Sequence, residues 1–414
     1  MNRVILQLAT VAAGVLLTTS SPARAEVHLV VGTAQQGGQY STVQAAVDAV
    51  PAANSERYVV DIMPGTYTER VNVPSNKPFV TLRGHGAAAA DTVLAFNETA
   101  NTPPNESTVH ASTVVRGNDF IAENLTFANT HGPGVQALAI YAKADRLIFN
   151  NVRFTGWQDT LRSEYGRQYF YDSYVEGSVD FIYGRGTAYF ENATLVAKAS
   201  GYVTAQAREA AAETNGYVFK NSTITGPART GTVYLGRPWQ PYSRAVFIDT
   251  KMGDLINPAG WSIWSGSNNH ATAFFAEYNS MDLAGNPLDV SQRVSWSHQL
   301  TAVEAAAFSK EAWLAGSDGW NPVIATGPTA DFNGDGAVDG RDFLIWQRGV
   351  GQTGQTDNSL GDANGDGMVD GQDLQAWQGE FSTAAAALAP VSAVPEPGAW
   401  ALLAAMAAAL RRMH

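Results

Sequence analysis

The chain has 414 residues and is 45% apolar, enough for one large domain with a substantial core and smaller additions. Its 38 acidic side chains outnumber 26 basic ones, and the net charge of −12 excludes a basic nucleic-acid-binding surface. It has no cysteine, which excludes a disulfide framework and a thiol nucleophile.

Residues 1–25 read as a secretory signal, with Arg3 in a thin positive region, a largely apolar run from Val4 to Leu17 and an Ala23-Arg24-Ala25 cleavage site. That run is too short to span a bilayer. Ser41 is positioned to cap a helix over 42–50, with Val43, Ala46, Val47 and Val50 on one face. Such a helix would cover the open end of a solenoid. Strands are predicted around 58–62, 79–83 and 92–96.

A polar pair followed by a β-former then recurs at Glu123-Asn124, Asn150-Asn151, Asp172-Ser173, Glu191-Asn192, Lys220-Asn221 and Asp249-Thr250. The intervals are 27, 22, 19, 29 and 29 residues. Short strands at this uneven spacing predict an all-β solenoid, a parallel β-helix whose coils vary on one side, running to about 265. Asparagines at the turns would ladder their amides between coils. A β-sandwich with coincidental spacing is the competing architecture. Thr301 to Glu304 forms a capping box for a helix ending near Leu314.

Asp159 in GWQDT (156–160) and Asp180 in VDFIYG (179–184) lie 21 residues apart, about one coil. Neighbouring strands would bring them roughly 5 Å apart. Paired carboxylates that close diverge in pKa, which suits a nucleophile beside a general acid.

These motifs belong to an ordered series: GTYTE (65–69), VQALAI (135–140), GWQDT, RQYFY (167–171), VDFIYG, YVTAQ (202–206), YLGRPW (234–239), NPAGW (257–261) and RVSW (293–296). On them, residues 27–322 resemble the pectin methylesterase (pectinesterase) family. The resemblance implies a right-handed parallel β-helix that hydrolyses galacturonate C6 methyl esters of pectin, without a catalytic metal or other cofactor. The chemistry agrees with the residue types. No G-x-S-x-G elbow is present, and a carboxylate is an available nucleophile. Asp180 fits that role because Arg237 would hold it ionised. Asp159 then acts as general acid and base. Gln136 and Gln158 are donors for the oxyanion. Trp239 is expected to stack on a sugar ring, with Tyr183 and Trp261 as further aromatic contacts. The sequence departs from the family pattern at Arg162, where a Tyr is common, at Arg185-Gly186 and at Ile140. Arg162 is expected to meet free carboxylates of partly de-esterified pectin. The alternatives are an esterase or thioesterase on another substrate, a glycosidase or lyase on the same solenoid, and a non-catalytic carbohydrate-binding solenoid.

After a linker (323–330), residues 331–381 carry ten acidic side chains against Arg341 and Arg348, which is −8 of the total charge. DFNGDGAVDGRD (331–342) and DANGDGMVDGQD (362–373) are duplicates with the calcium-loop pattern. The first loop offers Asp331, Asn333, Asp335, the Ala337 carbonyl, Asp339 and Asp342. The second offers Asp362, Asn364, Asp366, the Met368 carbonyl, Asp370 and Asp373. Apolar FLIWQ and LQAWQ supply a small helical core. The pair resembles a type I dockerin, which implies two structural Ca2+ ions and a cohesin-like surface partner. Positions 10 and 11 are Gly340-Arg341 and Gly371-Gln372 rather than the Ser/Thr-type pair often used for recognition. A second linker (382–393) leads to 394–414, which resembles a PEP-CTERM sorting tail read by sorting machinery. Together these features predict a secreted or cell-surface protein.

Overall fold

The structure, a computed structural model, describes residues 26–101, 109–324, 330–333, 338–355, 358–363 and 367–387. The expected signal (1–25) and sorting tail (394–414) lie outside the described residues. The chain divides into two compact units, one spanning Arg24–Ile324 and one taking in Ala325–His414.

The first unit is a parallel β-helix. Its smaller sheet has seven strands whose spatial order follows the chain: Val71–Val73, Ala111–Val115, Leu138–Lys143, Leu161–Tyr165, Ile182–Gly184, Gly201–Gln206 and Val233–Gly236. Each pairs in parallel with the next. The recurring polar pairs prove to be the corners of the coils. Asn124, Asn151, Asp172, Asn192, Asn221 and Asp249 all adopt the left-handed conformation, with φ between 47° and 57°. Asn and Asp tolerate that region better than other side chains with a Cβ, so the backbone bend explains the composition. Asn279, at φ 51°, marks a further coil, and Phe274–Tyr278 is its strand. The solenoid therefore extends past the expected end near 265. Its last corner, Asn279-Ser280, repeats the polar pair seen at Asp172-Ser173 and Asp249-Thr250.

The expected amide ladder is partial. Asn151 Nδ2 donates to Asn124 Oδ1 at 2.9 Å and Asn279 Nδ2 donates to Asp249 Oδ1 at 2.7 Å. Asp249 also pairs with Lys220. Cohesion comes mainly from the interior. Phe149, Phe170, Phe190, Phe219 and Phe247 stack in single file, with centroids 4.6, 4.3, 4.6 and 4.4 Å apart and interplanar angles of 8°, 9°, 13° and 6°. All five are fully buried. One position of each coil falls above the same position of the last, and each stacked pair adds about 0.5–1.5 kcal/mol beyond its buried area.

The N-terminal helix is Val43–Ala49, with Val43, Ala46 and Val47 buried. Its cap is Thr42 rather than Ser41. Thr42 is the last extended residue, and its hydroxyl accepts from the Ala45 N–H at 3.2 Å. The Glu69 carboxylate accepts from the N–H groups of Val43 and Gln44. The Thr301–Glu304 capping box is present, but the predicted single helix is two, Ala302–Ala306 and Lys310–Leu314. The Ser309 hydroxyl accepts from Ala312 N–H and so starts a second helix where one was expected to continue.

The second unit contains helices Gly340–Gly349 and Gly371–Ala387. Ala330, Phe332, Val338 and Ala363 form its core with Ile345, Trp346, Ala376 and Trp377. Its two halves exchange equivalent bonds. The Trp346 indole N–H donates to the Asp370 carbonyl at 2.8 Å, and the Trp377 indole N–H donates to the Asp339 carbonyl at 3.0 Å.

Candidate active site and calcium loops

The outward face of the seven-stranded sheet carries the acid pair. Leu161 and Ile182 are register partners, and Asp159 and Asp180 each stand two residues upstream of them. Asp159 N–H donates to the Val179 carbonyl at 3.1 Å, which fixes that alignment. Both acids are left-handed, with φ of 63° and 51°, so each is turned out of the strand geometry at the sheet's edge.

Arg237 donates to Asp180 through both arms of its fork, Nε to Oδ1 at 2.9 Å and Nη2 to Oδ2 at 2.6 Å. The guanidinium is itself held between two rings, with its carbon 4.1 Å from the Tyr202 centroid and 4.2 Å from that of Trp264. Burial raises the Asp180 pKa above the usual carboxylate value, and the hydrogen bond and charge of Arg237 offset only part of that rise. Asp159 is pushed up to about 7, first by burial and then by the charge of Asp180. A hydrogen bond from Tyr183 and the charges of Arg162 and Arg237 offset part of that rise. Only Asp180 has a guanidinium on its carboxylate, so Asp180 ionises first and Asp159 holds the proton.

Gln136 and Gln158 form a parallel bridge one coil apart, with Ala137 N–H donating to the Gln158 carbonyl. Gln136 is exposed and Gln158 half-buried. Trp239 packs near Tyr183, at 5.9 Å between centroids, and near Trp264, at 6.2 Å.

Three expectations change. Trp261 is 1% exposed, donates to Glu277 Oε1 at 3.2 Å and lies 4.6 Å from the Phe275 ring. It continues the interior stack beyond Phe247 and has no face for a sugar. Tyr183 is 6% exposed, so it supports Asp159 from below rather than presenting a ring. Arg162 donates to Glu164 at 2.7 Å and lies over Tyr141 and Tyr183, so its charge already has a carboxylate. Sequence reasoning missed Tyr202 and Trp264. Trp264 stands three residues after Trp261, and only the coil geometry decides which of the two faces outward.

In the second unit, Asp342 and Asp373 close the loops. Asp342 Oδ1 accepts from the N–H groups of Phe332 and Asn333, and Oδ2 accepts from Asp339 N–H. Asp373 accepts from Ala363 and Asp370 N–H in the same way. Asp331, Asp342, Asp362 and Asp373 are all buried. Four buried carboxylates in paired loops of oxygen donors fit a hard divalent cation such as Ca2+. The further expected ligands Asp335, Ala337, Asn364 and Asp366 lie outside the described residues.

Comparison with known proteins agrees with this geometry. Residues 28–317 match the Pectinesterase family model, and residues 329–378 match that of the dockerin type I domain. Pectinesterase 31 of Arabidopsis thaliana is 42% identical over 289 residues, covering 67% of this chain and 90% of that protein. The pectin methylesterase from carrot superposes with a TM-score of 0.64 at 28% identity, covering 74% of this chain and 99% of that one. Pectin methylesterase PemA from Erwinia chrysanthemi gives 0.60 at 25% identity, covering 73% and 100%. With an acid pair on successive coils of a parallel β-helix and a matching family model over most of its length, the chain belongs to the pectinesterase family and carries a type I dockerin domain.

Proposed function

We propose that this enzyme removes methyl esters from pectin through a covalent aspartyl intermediate. The observation that carries the reading is the contrast within the acid pair: Asp180 is gripped by Arg237, and Asp159 beside it is raised to about 7. The Asp180 carboxylate attacks the ester carbonyl carbon, and the carbonyl electrons move to oxygen. The Gln136 and Gln158 amides donate to that oxyanion, each worth about 3–4 kcal/mol when preorganised. Collapse expels the methoxy group, which takes the Asp159 proton and leaves as methanol. The galacturonyl group is then joined to Asp180 as an anhydride. Asp159, now ionised, takes a proton from water as its oxygen attacks, and Asp180 departs as carboxylate. The product is a free galacturonate. Trp239 beside the groove supports binding of a sugar ring.

Residues 27–322 are the proposed catalytic domain, 331–381 the calcium module, and 323–330 and 382–393 the linkers. The loops would hold two Ca2+ ions, which supply structure and no chemistry to the ester. A signal at 1–25, a tail at 394–414 and a cohesin-like partner would together hold the enzyme outside the cell. Methanol release from pectin by the wild type and by Asp180→Asn tests the catalytic reading. Equal rates from the two would refute it.

A further inference from the structure

The turn that carries Gln158 and Asp159, residues 156–160, is held by a side chain two coils away. Lys198 directly follows the strand Thr194–Ala197. Its ammonium donates to the Gly156 carbonyl at 3.0 Å and to Glu176 Oε1 at 2.7 Å, and lies 4.2 Å from the centroid of the Trp157 ring. Glu176 belongs to the strand Tyr174–Gly177, four residues before Asp180. Its other oxygen accepts from the Tyr174 hydroxyl at 2.8 Å, so both oxygens of the carboxylate are engaged. The register runs from Phe154 to Val175 and from Glu176 to Val196. Lys198 thus joins three successive coils: its own, the one bearing Asp180 and the one bearing Asp159.

Main-chain bonds follow the same path. Ser178 N–H donates to the Trp157 carbonyl at 2.7 Å, and Lys198 N–H donates to the Gly177 carbonyl at 2.7 Å. The Thr160 hydroxyl donates to the Glu176 carbonyl at 2.9 Å. The turn needs such support, because Asp159 within it is left-handed at φ 63°, a conformation that a residue with a Cβ keeps only where its surroundings impose it. An ion pair at a surface adds little stability by itself. Lys198 and Glu176 are both half-buried, and what their pair adds is an anchor in the main chain at the start of the turn.

We propose that Lys198 is a positioning residue for ester hydrolysis: by tying the main chain at Gly156 to Glu176, it sets where Gln158 and Asp159 stand relative to Asp180. This rests on the reading of the acid pair as the ester-hydrolysing centre. The bonds of the ammonium run to Gly156 and Glu176 and to neither acid. Burial, Asp180, Tyr183, Arg162 and Arg237 are the leading influences on the Asp159 carboxyl, and Lys198 is not among them. It therefore acts through placement of the turn rather than through its charge. A misplacement of about 1 Å at a reacting group costs about a hundredfold in rate.

The experiment compares the full-length wild type with Lys198→Met, Lys198→Arg and Glu176→Gln. Methanol release from highly esterified pectin gives kcat and KM across pH. Hydrogen exchange of the amides in 156–161 reports on the turn and requires no turnover. Lys198→Met is expected to lower kcat by about tenfold to a hundredfold while KM changes by less than about twofold. The alkaline limb of its kcat–pH profile should move to lower pH, because a turn that drifts from Asp180 frees the Asp159 carboxyl from that charge. Exchange should quicken at 156–161 and stay unchanged in the strands that carry the phenylalanine file. Lys198→Arg keeps a cation able to reach both oxygens and to cover the Trp157 ring, and should recover most of the rate. Glu176→Gln keeps the shape of its side chain and should give a smaller loss with the same pH shift; it decides by the same measures if Lys198→Met does not fold. An unchanged kcat overturns the proposal, as does an effect on KM alone, an unmoved pH profile, or exchange that rises equally over all coils. Absence of methanol from wild type would refute the acid-pair reading instead, while exchange at 156–161 still tests the hold of Lys198 on the turn.

Discussion

Asp159 and Asp180 occupy equivalent places on adjacent strands, each two residues before a register-paired residue, yet only Asp180 is clasped by a guanidinium. Equivalent backbone and unequal surroundings suit the two carboxyls to the separate duties of the proposed mechanism. Removing the nucleophile should therefore be more damaging than removing the acid. Asp180→Asn is expected to abolish methanol release. Asp159→Asn is expected to lower kcat by about 10²–10⁴, the usual range for a general acid–base group. The rates are read from methanol evolved on highly esterified pectin.

The raised pKa of Asp159 fixes the pH dependence. Its proton is needed to release methanol, so kcat should fall as pH rises above about 7. Stability follows the same group. Its pKa is higher folded (about 7) than its ordinary value of 3.8, so the folded state binds the proton more tightly. The resulting stabilisation is complete below about 4 and is lost as pH rises through about 7. Asp159→Asn should flatten that part of the Tm-versus-pH curve and raise Tm at pH 8 relative to wild type. A parallel curve for the variant would refute the assignment.

The clasp on Asp180 is a planar fork held between Tyr202 and Trp264. Lysine cannot reproduce two parallel bonds or the stacking. Arg237→Lys is expected to reduce kcat by about tenfold or more. Trp264→Leu should reduce kcat more than it raises KM. A pure KM effect would mean that Trp264 contacts sugar instead.

The phenylalanine file predicts a large stability cost at its centre. Phe190 stacks on both Phe170 and Phe219. Phe190→Ala should destabilise the β-helix by about 3–5 kcal/mol, measured by urea unfolding. Phe190→Leu should recover part of that loss.

Calcium removal should act on the second unit. Chelation is expected to lower its protection against proteolysis and to change the fluorescence of Trp346 and Trp377, while methanol release persists. Loss of activity on chelation would contradict the assignment of Ca2+ to the acidic loops.

Much of this was legible from residue pattern. The corner residues betrayed the coil because a left-handed bend selects Asn and Asp, and the 21-residue interval placed the two acids on neighbouring strands. The dockerin type I domain was legible because its duplicated acidic loops are contiguous in sequence. What escaped was orientation. Trp261 and Trp264 differ by less than one helical turn of sequence, and only the path of the coil sends the first into the phenylalanine file and the second onto Arg237. The pairing of Arg162 with Glu164 was hidden for the same reason, because alternation alone does not tell which neighbour takes the charge. The final coil was legible too, since its corner Asn279-Ser280 repeats the polar pair that marked the others, but the expected repeats stopped short of it.

The reciprocal indole bonds of the second unit bear on its ancestry and its engineering. A lone copy of the duplicated segment would strand one donor and one acceptor that its sibling now satisfies. The smallest foldable piece is thus the couple, and any attempt to graft a single copy onto another scaffold should yield an unstructured peptide.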